Sequence, residues 1–175
     1  MATAVTPVIL GLLSIAPRSG YEIKATVDRS TRFFWAASYG QIYPELRKLA
    51  EAGLIEGTSK PSGARKRTEY RLTASGRKEL RRWLEIEPAV FELRDEGLLK
   101  LFFAGAAPGA ASKAIEARRD HDEQKLRQLR EIEPMAKAAP DSFPHMVLRY
   151  GVALSEFSIR WCDEALAELN REDAA

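Results

Sequence analysis

Residues that carry catalysis or bind metals are scarce in this chain of 175 residues, which has one cysteine and two histidines. Cys162 alone cannot form an intramolecular disulfide, which is typical of proteins of the reducing cytoplasm, where we expect this one to reside. The run Asp120-His121-Asp122-Glu123 concentrates metal-ligating residue types, but consecutive residues of a helix point in different directions. There is no glycine-rich phosphate loop. The sequence therefore predicts no metal, no cofactor and no enzymatic activity.

Long apolar stretches are missing as well. No run reaches the roughly 18 residues that a bilayer-spanning helix needs. Residues 1–15 are apolar, but they lack a basic residue ahead of their short apolar core, and Pro7 interrupts them. We therefore expect a retained helix rather than a signal peptide, and no membrane partner. With 45% hydrophobic and 30% charged residues, the composition is that of a folded globular protein.

The two halves of the chain differ in charge. Residues 1–87 carry 15 Lys and Arg against 9 Asp and Glu, a net charge of +6, and residues 88–175 carry 12 against 16, a net charge of −4. The overall net charge of +2 hides this division. A basic half joined to an acidic half indicates that only the first meets a polyanion. We therefore predict two domains, 1–87 and 88–175.

Two helices are predicted at the start of the basic half. Thr6-Pro7 has the pattern of an N-cap followed by proline at the first helical position, and this helix should end near Pro17. Ser19 and Glu22 have the spacing of a capping box, which opens a second helix. We expect the buried side of that second helix to comprise Tyr21, Ile23, Ala25 and Val27.

A third helix should run from about Ser38 to Ala52 and end at Gly53. Its apolar positions have helical spacing and should face the core, and Pro44 should kink it slightly rather than end it. The other faces carry large flat or basic side chains, namely Tyr39, Gln41, Tyr43, Arg47 and Lys48.

A β-hairpin follows this helix. Residues 54–58 and 65–72 have the pattern of short strands, and the Pro- and Gly-containing residues 60–64 predict the turn between them. Thr73 should then cap a fourth helix. The order helix–helix–helix–hairpin–helix is that of a winged helix-turn-helix. The predicted fold class is therefore mainly α with a small β-hairpin.

The acidic half has an almost wholly helical pattern. Helices are expected over about 90–104 and 110–132, and again from Pro144 to about Asn170, with a bend over the proline-containing residues 133–144. In the last helix, apolar residues alternate at spacings of three and four, as along a coiled-coil seam. We expect this seam to pair two copies of the chain; its members are Val147, Tyr150, Leu154, Phe157 and Trp161.

The first half resembles the PadR family of bacterial transcriptional regulators. The matching segments are Pro7–Ile15, Gly20–Ile23, Ser38–Leu49, Gly53–Ile55, Tyr70–Thr73 and Gly76-Arg77. The tract from Gly40 to Ile55 is the most specific, since a Tyr-Pro pair inside a recognition helix is unusual. The resemblance implies a homodimer that binds a palindromic operator, commonly as a repressor, with release by a small molecule in some members.

We predict that the third helix enters the major groove of double-stranded DNA, starting from Ser38. Tyr39, Gln41 and Tyr43 should meet base edges or sugars, and Arg47 and Lys48 should meet phosphate. The alternative is a solvated helix face with its two tyrosines partly in the core.

The hairpin carries a second predicted DNA contact. Its cations should meet phosphates, with Arg65 and Arg67 on one face of the strand and Lys66 on the other; the full set is Lys60, Arg65, Lys66, Arg67 and Arg71. The alternative is a charged edge strand that blocks aggregation. Tyr21, at the start of the second helix, either touches the DNA backbone or is buried, and the sequence leaves both open.

Tryptophans are the candidate lining of an effector pocket, because multidrug-binding members of the resembled family use tryptophans at the dimer interface. The candidates are Trp35, Trp83 and Trp161. For the triplet Phe33-Phe34-Trp35 the favoured interpretation is packing under the third helix, and for the other two tryptophans it is interface packing. The sequence does not identify the effector.

Two other functions stay open. A winged helix with a basic hairpin also suits a module that binds acidic proteins, which would show little preference among DNA sequences. The third alternative is a ligand-binding helical dimer, or an enzyme, that has kept the winged helix as a relic.

Overall fold

The computed structural model describes residues 4–62, 65–89, 94–107 and 109–172, with the backbone alone for 60–62, 65, 66 and 172. The chain divides into two compact units, Met1–Val90 and Phe91–Ala175. The N-terminal unit contains α1 (Thr6–Ile15), β1 (Arg18–Ser19), α2 (Gly20–Asp28), α3 (Tyr39–Glu51), β2 (Ile55–Ser62), β3 (Arg65–Leu72) and α4 (Ala74–Glu85). The C-terminal unit contains α5 (Glu96–Phe102), α6 (Ala110–Lys137) and α7 (Phe143–Glu172). Within the described residues, no helix is both long and apolar enough to cross a membrane.

Apolar side chains of the first three helices meet in one core. Ile9, Ile23, Ile42 and Leu46 are fully buried there, and the inner end of the hairpin adds Ile55. Full burial of a side chain of this size stabilises a fold by roughly 1.5–3 kcal/mol. This core fixes which face of each helix is left for solvent.

The start of α1 differs from its predicted form. Thr6 is the first helical residue and Val5 holds the N-cap position, so the prediction that Thr6 caps the helix is wrong. The Thr6 hydroxyl instead donates a hydrogen bond to Oε1 of Glu45 in α3, and both side chains are buried. A buried carboxylate needs a donor, and this need outweighs local capping.

Helix α2 begins with the predicted capping box. Glu22 N–H donates to Ser19 Oγ over 3.3 Å, and Ser19 N–H donates to Glu22 Oε2 over 2.8 Å. Ile23 and Val27 are buried as expected. Tyr21, predicted on the same side, is 64% exposed. It precedes Ile23 by two residues, which is about 200° around a helix, so the core face cannot include both.

The hairpin belongs to a three-stranded antiparallel sheet in the order β1-β3-β2. Strand β1 pairs Arg18 with Tyr70 and Ser19 with Glu69, and this strand was not predicted. Strands β2 and β3 pair from Ile55–Leu72 out to Ser62–Arg65. The predicted hairpin is confirmed, but its turn was predicted to start too early, because residues 60–62 are still paired with β3. Proline at position 61 is tolerated because β2 lies at the edge of the sheet.

Helix α4 begins as predicted. Thr73 Oγ1 accepts the Gly76 N–H over 3.0 Å and lies 2.9 Å from the Leu54 carbonyl oxygen, to which it donates. A Cβ at Gly76 would lie 2.0 Å from the same carbonyl oxygen. Glycine at this position lets α4 start directly against the base of the hairpin.

The C-terminal unit has a shorter first helix than predicted, and its second helix is longer. Asp95 caps α5 by accepting the Leu98 N–H over 3.0 Å, so the helix begins at Glu96. Phe91 and Leu93, which were predicted in this helix, lie outside the described residues. Helix α6 continues past the predicted end near Ile132, through Pro134, to Lys137. The backbone hydrogen bond that proline lacks falls in the last turn, where the helix is close to its end.

Helices α6 and α7 pack along each other through small and polar side chains as well as apolar ones. Ile115 and Leu129 of α6 are buried, as are Leu148 and Cys162 of α7. Burial raises the pKa of the Cys162 thiol. The face of α7 that meets α6 is therefore not the predicted seam, which lies on another side of the helix.

Candidate nucleic-acid interface

Helix α3 presents its predicted DNA-contacting residues to solvent. Its core face is formed by Ile42, Leu46 and Leu49, and the exposed side chains on the other faces are Tyr39, Gln41, Tyr43, Arg47 and Lys48. The two tyrosines are partly covered, with 45% and 44% of their surfaces exposed, so each ring has one side against the protein and another open to solvent. The helix thus has one side anchored in the core and another available to a groove of DNA.

The first turn of α3 is closed by a capping box between Ser38 and Gln41. Ser38 N–H and Oγ donate to Gln41 Oε1 over 2.9 and 3.1 Å. The side-chain carbonyl of Gln41 is therefore engaged in holding the start of the helix. The contribution of Ser38 that the structure shows is this cap at the start of α3.

The two tyrosines of α3 form a stacked pair supported by α2. The ring centroids of Tyr39 and Tyr43 are 6.0 Å apart, and Lys24 Nζ lies 5.4 Å from the Tyr39 ring centroid. A Cβ at Gly20 would lie 2.7 Å from Tyr43 Cε1. The glycine therefore leaves the space that the Tyr43 ring fills. Gly20 and Lys24 also belong to this surface. The helical spacing of α3 could not indicate them, because neither lies on that helix.

The structure describes the side chains of only two of the five cations predicted on the hairpin. Arg67 and Arg71 are exposed, whereas the side chains of Lys60, Arg65 and Lys66 lie outside the described part of the chain. The strand register sets Lys60 opposite Arg67.

Arg67 is ion-paired with Glu22 of α2. The hydrogen bond from Arg67, followed by the one from Ser19 N–H, lowers the pKa of Glu22 to about 2. Glu22 was predicted as a capping residue only, and its second partner, Arg67, is 45 residues away along the chain. Tyr21, exposed at the same end of α2, is available for contact rather than buried.

The three tryptophans have different surroundings. Trp35 is 43% exposed and its Nε1 donates to the Ala4 carbonyl over 2.6 Å, so the interpretation that it packs under α3 is wrong; Phe34 beside it is exposed too. Trp83 is exposed on α4. Trp161 is half-buried, with the Arg118 guanidinium carbon 6.0 Å from its ring centroid.

The C-terminal unit has a surface groove of about 720 Å³ between α6 and α7. Its walls include Arg130, Met146 and Tyr150 and none of the three tryptophans. The seam residues of α7 line a largely exposed face: Tyr150 is 70% exposed and Phe157 57%, with Val147 and Leu154 beside them. Trp161, at the end of the seam, is more enclosed.

Comparison with known proteins gives two matches that follow each other along the chain. Residues 9–82 match the transcriptional regulator PadR-like family, and residues 93–170 match the virulence activator alpha C-terminal family. A probable transcriptional regulator of Mycobacterium tuberculosis is 30% identical over 173 residues, which cover 88% of this chain and 91% of that protein. The chain belongs to the PadR-like family of transcriptional regulators.

Other PadR-like proteins match over nearly the whole chain. The negative transcriptional regulator PadR of Bacillus subtilis is 29% identical over 177 residues, covering 94% of this chain and 96% of that one. Its crystal structure in complex with operator DNA superimposes with a TM-score of 0.87 over 97% of this chain and 99% of that one, at 29% identity. Its complex with p-coumaric acid gives a TM-score of 0.78 at 30% identity, over 96% and 99%. The predicted family and winged-helix fold are therefore confirmed.

Proposed function

We propose that this PadR-like regulator is a homodimeric, sequence-specific repressor that binds a palindromic operator and is released by a small-molecule effector. The observation that carries the proposal is the division of α3 into two sides. Ile42, Leu46 and Leu49 fix one side in the core, which holds the exposed tyrosine pair in a defined orientation. A rigid, half-exposed helix of this kind suits the major groove.

The two kinds of side chain on α3 have separate roles in this proposal. Tyr39, Gln41 and Tyr43 lie in the first turns of the helix and read base edges, and Arg47 and Lys48 neutralise phosphates. The cationic hairpin extends the phosphate contacts beyond the groove. The likeness to a PadR solved with operator DNA supports this arrangement.

The exposed face of α7 supports the dimer. Val147, Tyr150, Leu154 and Phe157 form an apolar stripe that α6 does not cover. An uncovered stripe of large apolar side chains is characteristic of a protein interface, and a second copy of α7 offers the same stripe in return. Two copies would present two recognition helices to successive half-sites of the operator, roughly 34 Å apart.

The proposed effector is a small aromatic molecule. The Bacillus subtilis relative has been solved with p-coumaric acid, a small aromatic carboxylate. The three tryptophans remain the predicted contacts for such a molecule in this chain. A phenolic acid added to the operator complex is therefore the first effector to try.

Fluorescence anisotropy with duplexes from the region upstream of the coding sequence tests the proposal. We expect a complex that is sequence-selective and weakens with salt. Arg47→Ala should weaken binding to all duplexes and lower the salt slope by about one, whereas Gln41→Ala should reduce discrimination between operator and mutated operator. Lys113→Ala, an exposed cation of α6, is the matched control and should leave both unchanged. Equal affinity for all duplexes would favour the protein-binding module instead.

A further inference from the structure

The carboxylate of Glu22 contacts two different elements through its two oxygens. Oε2 accepts the N–H of Ser19 over 2.8 Å and its hydroxyl over 3.0 Å, which closes the cap of α2. Oε1 accepts a hydrogen bond from Nη2 of Arg67 on β3. Because the cap fixes one oxygen, the orientation of the other is fixed as well. Arg67 therefore meets an acceptor whose position is set by the helix.

Arg67 lies beyond the part of β3 that pairs with β1. Strand β1 pairs with β3 at Tyr70 and Glu69, and Arg67 lies two residues farther toward the hairpin tip. The backbone ladder between β1 and β3 has ended there. The Glu22 carboxylate continues the attachment of β3 to α2 by side-chain contact, in the same unit that carries the proposed DNA contacts.

We propose that Glu22 is a positioning residue, whose carboxylate holds the Arg67 guanidinium in the orientation in which its other N–H groups bind a DNA phosphate; this inference rests on the proposed function. A guanidinium has five N–H donors, and a carboxylate oxygen engages only part of them. Arg67 keeps 44% of its side-chain surface exposed, so a phosphate can approach while the ion pair persists. Restricting a long side chain before binding reduces the entropy that it loses on contact.

If net charge alone decided DNA affinity, removal of Glu22 would have the opposite effect to the one that the positioning role predicts. A carboxylate beside a phosphate repels it, so removal of Glu22 should strengthen binding if overall charge decides the outcome. If orientation of Arg67 decides it, the same removal should weaken binding. With its pKa lowered to about 2, Glu22 is ionised near neutral pH, where the two affinities are compared. The sign of one mutational effect therefore separates the two accounts.

The test uses Glu22→Gln in the full-length protein, with affinity for the operator duplex measured by anisotropy. Glutamine also serves in a capping box, so α2 keeps its start while the ion pair is lost. We expect Glu22→Gln to bind the operator about three- to fivefold more weakly, which is the upper range for an exposed ion pair. The control is Glu79→Gln, which removes an equal charge and breaks the Glu79–Arg82 pair on α4. It should bind as the wild type does.

A double-mutant cycle separates positioning from a merely structural role. In the Arg67→Ala background, Glu22→Gln should have no further effect, whereas a role confined to capping α2 would persist there. Arg67→Ala alone should lower the salt slope by about one. Circular dichroism gives the folded fraction, so that each affinity refers to folded protein.

The outcomes distinguish this inference from the proposed function. If the wild type forms a selective, salt-sensitive complex and Glu22→Gln binds equally or more tightly, the positioning role is wrong and the repressor proposal stands. Additive effects of the two substitutions would overturn it too. If the wild type itself shows no such complex, the proposed function fails and this inference fails with it.

Discussion

Replacement of Gly20 by alanine should separate DNA binding from stability. The added Cβ would lie 2.7 Å from Tyr43 Cε1 and 3.1 Å from Leu46 Cδ1. Carbon atoms in contact prefer about 3.5–4.0 Å, so the Tyr43 ring must move by roughly 1 Å. The ring is half-exposed and can swing outward, while the α3 backbone stays fixed by its core face. The change should therefore alter the recognition surface and leave the fold in place.

Gly20→Ala should change operator affinity by more than it changes stability. Forcing the ring off its rotamer costs about 0.5–1.5 kcal/mol, and alanine in a helix gains about 0.5–1 kcal/mol over glycine, so the net change in stability should be close to zero. Loss of a base contact costs about 1–3 kcal/mol, which is roughly 5- to 150-fold in Kd. Displacement of Tyr43 should also disturb its stacked partner Tyr39.

Operator titrations by anisotropy and thermal melting by circular dichroism measure both quantities on the same sample. Gly11→Ala in α1 is the control, since a Cβ there meets nothing within 4 Å. It should bind DNA as the wild type does and melt slightly higher. Unchanged operator affinity of Gly20→Ala would refute this expectation. So would a fall in its melting temperature of more than about 8 °C, which for a domain of 60–100 residues means a loss of more than about 1 kcal/mol.

Two further substitutions test the packing of the separate units. Gly76→Ala drives its Cβ into a backbone carbonyl at 2.0 Å, which cannot swing away; we expect a loss of about 1–3 kcal/mol and a lower melting temperature than Gly11→Ala, and an unchanged melting temperature would contradict the close approach of α4 to the hairpin. The hydrogen bond from Arg118 holds the pKa of Asp95 below its ordinary value of 3.8, so the stability from this pair is complete above about pH 4 and is lost as the pH falls through the lower folded pKa. Urea unfolding should therefore show that Asp95→Asn lowers stability at pH 7 and flattens its decline in acid; equal acid slopes would exclude the pair as a cause.

Features that depend on a few neighbouring residues could be predicted from the sequence. The capping box of α2 and the cap at Thr73 join residues three apart, so each motif contains both of its partners. For α3 only a start near Ser38 was predicted, and its capping box with Gln41 has the same spacing. The exposed face of α3 followed from the helical spacing of its apolar residues. These local signals were sufficient for the winged-helix order and for the residues on the α3 surface.

Features that depend on a distant partner were missed or wrong. Thr6 looks like a cap until Glu45, 39 residues later, is placed beside its hydroxyl. Strand β1 has only two residues and exists because β3 pairs with it, so it has no alternating pattern of its own. Trp35 was predicted to pack under α3, but its indole N–H donates to the carbonyl of Ala4, 31 residues earlier in the chain.

The hairpin of β2 and β3 illustrates why a count of charges is a poor guide to a nucleic-acid surface. The sequence predicts phosphate contacts for five cations of the hairpin, yet Arg67 has a carboxylate partner, and the exposed Arg71 lies four residues farther along β3. Counterion release depends on how many phosphates are neutralised, with a slope of about 0.9 for each, and a paired arginine contributes to it only if its remaining donors still reach the phosphate. The geometry of Glu22, rather than the net charge of the basic half, therefore decides whether Arg67 is part of the DNA contact or is merely a link between the sheet and α2.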